Sequence, residues 1–227
     1  MRTFFLFYLL SSLLRSPLLA LLIVLAVFYF AEARYSGRYF NPSAAFSKRR
    51  TIKELEHQLS MNPHDVAARN DLGRILVEDG KFEEGREHLA LAIKRMAESA
   101  ETNYFLGIAL LRTGDERQGL EHIETALEIS ARFLYGDPQR VLARHYLDKG
   151  DLDRAARFAT DSVKINTSGV EAWYILGAAK LGRQDRAGAR EAFDSALQAY
   201  DGLPRYLKPG GRKWRAEARR SLKKLAL

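Results

Sequence analysis

Residues 171–196 read EAWYILGAAKLGRQDRAGAREAFDSA. Apolar residues recur there at three- and four-residue spacing on both sides of a polar break, Arg183-Gln184-Asp185. That is the pattern of two amphipathic helices joined by a tight turn. The first helix carries Leu176-Gly177, and the same leucine-plus-small-residue pair stands at Leu72-Gly73, Leu106-Gly107 and Leu142-Ala143, with the small residues 34, 36 and 34 apart. Twelve residues after each small residue comes another: Gly85, Gly119, Ala155 and Ala189. Sixteen after comes Leu89, Ile123, Ala159 or Phe193, and nineteen after comes Ala92, Ala126, Ser162 or Ala196. Self-similarity at such a period signals stacked helical repeats.

Turn signals divide each unit: Asp79-Gly80-Lys81, Thr113-Gly114-Asp115, Lys149-Gly150-Asp151 and Arg183-Gln184-Asp185. Glycine supplies the left-handed residue that ends one helix, and Asp115, Asp151 and Asp185 are placed to cap the next. Each unit is therefore expected to be two antiparallel helices that approach closely where their small residues meet. A single pair cannot bury its apolar face, so neighbouring pairs must stack and the ends need caps.

These residues resemble the tetratricopeptide repeat (TPR), whose pattern of Trp, Leu-Gly, Tyr, Ala, Phe and Pro is fullest as Trp173, Leu176-Gly177, Ala189 and Phe193. The resemblance spans about residues 64–200. Arg69 and Asn103 stand where the family has its aromatic, Ala159 replaces a large apolar residue, and two extra residues fall near Phe133-Leu134-Tyr135-Gly136. It implies an all-α fold, a right-handed superhelical solenoid of about four helix pairs with helical caps. Asn62-Pro63 closes a preceding helix, which makes Ile52–Met61 a half-repeat cap. At the other end Trp214, Ala218, Leu222 and Leu225 lie at helical spacing, with Arg212, Arg215, Arg219 and Lys223 on other faces.

Outward from the repeats, charge is segregated. Residues 1–53 carry +7, residues 54–200 carry −6, and residues 201–227 carry +7. Two basic ends flank an acidic body, which is not the profile of a nucleic-acid binder. From Thr3 to Ala31 the only charge is Arg15. A helix over Ser16–Ala31 would reach roughly 24 Å, and extension through Leu13-Leu14 brings it to a bilayer core of about 30 Å. The segment before it, Phe4–Leu14, either lies in the interface or lengthens a tilted helix. The pattern predicts an N-terminal membrane helix in an anchor over 1–34, a basic linker over 35–50, the repeat domain over 51–203 and a basic capping helix over 204–227. Arg34, Arg38, Lys48, Arg49 and Arg50 follow the anchor, against Arg2 and Arg15 before it. That excess predicts a single-pass protein of a bacterial plasma membrane with its repeats in the cytoplasm. The competing readings are a periplasmic repeat domain and secretion after cleavage near Ala33, since Ala31-Glu32-Ala33 has the form of a signal-peptide site.

On a helical wheel of about 100° per residue, one flank of the four first helices reads Asn70, Arg74, Val77; Tyr104, Ile108, Leu111; Arg140, Arg144, Leu147; and Tyr174, Ala178, Leu181. In the TPR family the similar flank lines a concave groove, which makes Asn70, Arg74, Tyr104, Ile108, Arg140, Arg144 and Tyr174 the candidate contacts for an extended or helical peptide with apolar anchors and a carboxylate. The tail residues Arg212, Arg215, Arg219 and Lys223 are candidates for anionic lipid. Chemistry of other kinds lacks its motifs. There is no phosphate-binding glycine loop, nucleophile elbow or HExxH, and no cysteine. His88 and His122 are 34 apart because they hold one position in consecutive repeats, so no metal or other cofactor is expected. The expectation is a membrane-tethered protein-binding scaffold without enzymatic activity. The alternatives are an extracytoplasmic assembly factor or chaperone-like helper, and binding of anionic lipid or nucleic acid by the basic tail.

Overall fold

The computed structural model describes Leu18, Leu19, Leu21, Ile23, Val24 and residues 42–226, with side chains described from Ser47 onward in the latter stretch. Among these residues there are ten α-helices and no strand. They are α1 (Pro42–Met61), α2 (Val66–Glu78), α3 (Phe82–Ala92), α4 (Ala100–Arg112), α5 (Glu116–Ile129), α6 (Asp137–Asp148), α7 (Leu152–Ile165), α8 (Val170–Gly182), α9 (Arg186–Gly202) and α10 (Lys208–Leu225). The chain divides into two compact units. One holds residues 43–203 and 211–227, and with it every repeat; the other holds residues 1–42 and 204–210. In the second unit a short turn, closed by the Leu207 amide on the Pro204 carbonyl, exposes Tyr206 and Leu207.

The expectation of a single-pass membrane protein is corrected here. Among the described residues no helix is long and apolar enough to cross a membrane. Each helix from α1 onward interleaves charged residues with its buried stripe, as an amphipathic helix facing a protein core must. Most of the expected anchor, and the cleavage motif at Ala31–Ala33, lie outside the described residues. The orientation inferred from flanking charge falls with the anchor. Helix α1 starts at Pro42, so residues 42–50 are helical where a linker was expected.

The helices α2–α9 pair in sequence as α2/α3, α4/α5, α6/α7 and α8/α9, the four units of the repeat. Asp115, Asp151 and Asp185 cap α5, α7 and α9 by accepting the amides of Gln118, Arg154 and Gly188 at 3.3, 3.0 and 2.8 Å. Asp65 and Ser99 do the same for α2 and α4. Within each pair the small residues touch. A Cβ built on Gly107 would stand 2.7 Å from the Gly119 carbonyl oxygen, so those backbones are in direct contact. Ala143 and Ala155 are fully buried at the same place in the third pair. One large core runs through the middle pairs, a smaller cluster joins α1 to α2, and a third joins α8 and α9 to α10 through Phe193, Tyr200, Trp214 and Ala218.

A second interaction recurs where each pair follows the last. Residues 69, 103, 139 and 173 share one repeat position and are Arg, Asn, Gln and Trp. Each donates an N–H to an upstream backbone carbonyl: Arg69 to Pro63 (2.6 Å), Asn103 to Ala97 (2.7 Å), Gln139 to Ala131 (2.6 Å) and Trp173 to Thr167 (2.8 Å). The carbonyl is six residues back in three cases and eight back at Gln139, so the two-residue insertion is looped out and the bond kept. The loop is a left-handed run, Leu134 (φ 44), Tyr135 (φ 52) and Gly136 (φ 85), and the Gly136 carbonyl accepts the Ser162 hydroxyl at 2.9 Å.

Candidate partner-binding groove

The first helices α2, α4 and α6 lie side by side and enclose a cavity of about 460 Å³. Its floor is apolar, made by Phe82, Ile108, Leu111 and Val141, all partly exposed. Glu78, Arg112, Arg140, Arg144 and Glu171 stand around it. The Arg112 guanidinium lies over the Phe82 ring, 5.2 Å from its centre, so its cationic face is satisfied by the aromatic beneath it.

Stacking decides what the polar groove positions do. Glu101, Asp137 and Glu171 lie in the first turns of α4, α6 and α8, where a carboxylate is favoured by the helix dipole. Each accepts from the preceding first helix. Arg74 lies 3.4 Å from Glu101 and 3.0 Å from Glu78. Tyr104 donates its hydroxyl to Asp137. Arg140 meets Glu171 at 2.9 Å while also pairing with Asp137, and Arg144 meets Glu171 at 3.3 Å. Burial opposes the charge of Arg140, but Asp137 and Glu171 more than compensate and hold its pKa above the ordinary value. Burial, then the charge of Asp137, pushes the Tyr104 hydroxyl well up, so it stays a donor. Asn70 is buried, accepting the Thr102 hydroxyl at 2.8 Å and donating to Glu101 at 3.4 Å. Asn70 and Tyr104 thus join neighbouring repeats, and Ile108 faces the cavity beside Arg140 and Arg144.

The groove ends on a residue that the reading of the sequence assigned to the cap. Trp214 of α10 stacks on Tyr174 (ring centres 5.4 Å apart, 29° between planes), with Arg144 4.1 Å above its ring. Lys213 lies 4.4 Å from the same ring. The sequence held a signal for this placement, because Gly211 stands 34 residues after Gly177 and continues the repeat period into α10.

The tetratricopeptide repeat pattern matches this chain over residues 70–132 and 140–204, more than half its length. The chain belongs to the tetratricopeptide repeat family. The break at 133–139 falls on the left-handed loop. Among curated relatives, a TPR repeat-containing protein of Schizosaccharomyces pombe is 34% identical over 109 residues, which are 48% of this chain and 13% of that protein. The chain thus spans about an eighth of that relative. Among solved structures, MamA superposes with a TM-score of 0.60 at 22% identity, over 66% of this chain and 86% of that one. YrrB, described as a TPR protein with an unusual peptide-binding site, gives 0.57 at 18%, over 73% and 84%. The C-terminal part of a TPR repeat-containing protein from Cytophaga hutchinsonii gives 0.60 at 16%, over 82% and 69%. At these identities the structures show the fold alone, a TPR solenoid.

The TPR pattern also accounts for the paired histidines. His122 Nδ1 lies 2.9 Å from the Asn103 side-chain oxygen, whereas His88 Nδ1, next to Arg69 in place of that asparagine, is buried without a partner. Burial lowers both pKa values. Among the described residues no three His, Asp or Glu side chains are grouped as a metal site would require.

Proposed function

We propose that this TPR protein acts by binding alone, holding an apolar-anchored segment of a partner protein in the groove of α2, α4 and α6. The observation that supports this is the cavity over Ile108, Leu111 and Val141, an apolar floor with charged groups at its edge. Such sites take one or two side-chain anchors and use polar rims for exclusion of water and register. Because Arg140 and Arg144 already share Glu171, a partner carboxylate has to compete with an internal one. Affinity therefore rests on the apolar anchors.

The test is selection from a peptide-display library with the purified chain. Enriched peptides should share aliphatic or aromatic anchors, and Ile108→Glu should weaken them by more than about tenfold, the loss of roughly 1.4 kcal/mol at an interface centre. Peptides that are predominantly acidic, or that bind the Ile108→Glu chain equally well, would overturn the groove reading.

A further inference from the structure

Helix α10 carries a second surface of different chemistry. Arg212, Arg215, Arg219, Arg220 and Lys223 line one cavity of about 400 Å³ beside Tyr200. The opposite side of the helix, with Trp214, Ala218, Leu222 and Leu225, is committed to the core. Among the described residues, ion pairs to this row come from two acids. Asp201 is 3.8 Å from Arg215 and Glu217 is 2.8 Å from Arg220. Arg219 and Lys223 are exposed and have no carboxylate within ion-pairing distance among the described residues. Arg215, whose guanidinium lies 4.7 Å from the centre of the Tyr200 ring, has a buried Nε–H that meets no acceptor. A buried donor without a partner is costly, and here it borders a cavity rimmed by cations.

From this we infer that the α10 cavity is a docking site for a short acidic segment of a protein partner, with carboxylates at alternate positions. The spacing supports the form of the ligand. Residues 215, 219 and 223 follow at four-residue intervals, about 6 Å apart along a helix axis. Alternate side chains of an extended peptide repeat at roughly 6.6 Å, so an acid-x-acid-x-acid segment meets each cation in turn. Arginine forks engage carboxylates through paired hydrogen bonds.

The surroundings select a short protein segment over a longer polyanion. Residues 54–200 carry −6, so a nucleic acid or a membrane surface extending past α10 meets like charge. Base stacking needs an exposed ring, and Tyr200 is buried.

The experiment measures fluorescence anisotropy of the full chain with a labelled peptide of alternating Glu and Thr, about twelve residues long. An equal-length peptide with the same glutamates in one block serves as comparison. The alternating peptide should bind more tightly, and raised salt should release it. Arg219→Gln with Lys223→Gln should weaken it about tenfold, near threefold for each surface pair lost. Both residues are exposed, and an unchanged circular-dichroism melting curve confirms that the fold is intact. The same pair should leave peptides selected on the groove unaffected, which keeps the two surfaces distinguishable. Equal binding by the double variant, or no preference for the alternating peptide, would overturn the inference. Tighter and equally Arg219-dependent binding of labelled oligothymidylate, or of phosphatidylserine vesicles, would also overturn it and assign the cavity to that ligand.

Discussion

In the fourth repeat Gly177 has no Cβ, and the Phe193 ring fills that space, 2.6 Å from where the Cβ would stand. In the third repeat Ala143 has its Cβ and Ala159 occupies the place of Phe193; both alanines are fully buried. The fourth pair sets a glycine against a ring across this contact, and the third pair has alanine at both positions. The sequence pattern made the third repeat look degenerate, because Ala159 departs from the family and the insertion precedes it. The structure keeps both positions fully shielded from solvent, with one methyl gained opposite the ring that is lost. Interiors are packed to crystal-like density, so the methyl of Ala143 offsets only part of the volume given up at Ala159.

The comparison breaks hardest at Phe193. Phe193→Ala should cost about 3–5 kcal/mol, the usual loss for emptying an aromatic core position. Gly177→Ala alone should cost about 1–3 kcal/mol by overpacking against the ring. Combined, the two imitate the third repeat, and their total should fall short of the sum by about 1 kcal/mol or more. Urea denaturation of the four species measures this; additive costs would show that the two positions do not share one volume.

The shared carbonyl bond gives a smaller contrast between the same two repeats. Gln139 is buried and donates to the carbonyl of the exposed Ala131, so Gln139→Met should cost about 1 kcal/mol or a little more, the net worth of one hydrogen bond. Trp173→Phe removes the bond to Thr167 at an exposed site, where water replaces the donor, so the loss should stay below about 1 kcal/mol. Thermal melts of both variants rank them; an equal or reversed order would remove the bond as the explanation of residue choice at this position.

The smallest effect has the opposite sign. The helix-joining turn uses Gly150 (φ 79) in the third repeat and Gln184 (φ 65) in the fourth. A left-handed non-glycine residue costs roughly 1 kcal/mol, partly offset by the greater freedom of glycine in the unfolded chain. Gln184→Gly should therefore raise stability by a few tenths of a kcal/mol, up to about 1. A lower melting temperature would mean that the Gln184 side chain stabilises the turn.

Much of this molecule was legible one residue at a time. The recurrence of Leu72, Leu106, Leu142 and Leu176 beside small residues, the glycines at 80, 114 and 150, and the caps Asp115, Asp151 and Asp185 prescribe helices, turns and their pairing. They act through neighbours within one helix pair, where the order of the chain dictates what meets. The candidate surfaces obey longer distances. Whether Arg140 and Arg144 are available to a ligand depends on Glu171, some thirty residues on. Trp214 belongs to the groove end because α10 brings it over Tyr174. Asn70 and Tyr104 sit on the flank expected to line the groove, yet stacking buries both in bonds to the next repeat. Periodicity alone specifies which face of a helix is turned where. The rise between stacked helices and the reach of each side chain decide whether that face meets solvent, a ligand or the next repeat, and those quantities exist only once the repeats have stacked.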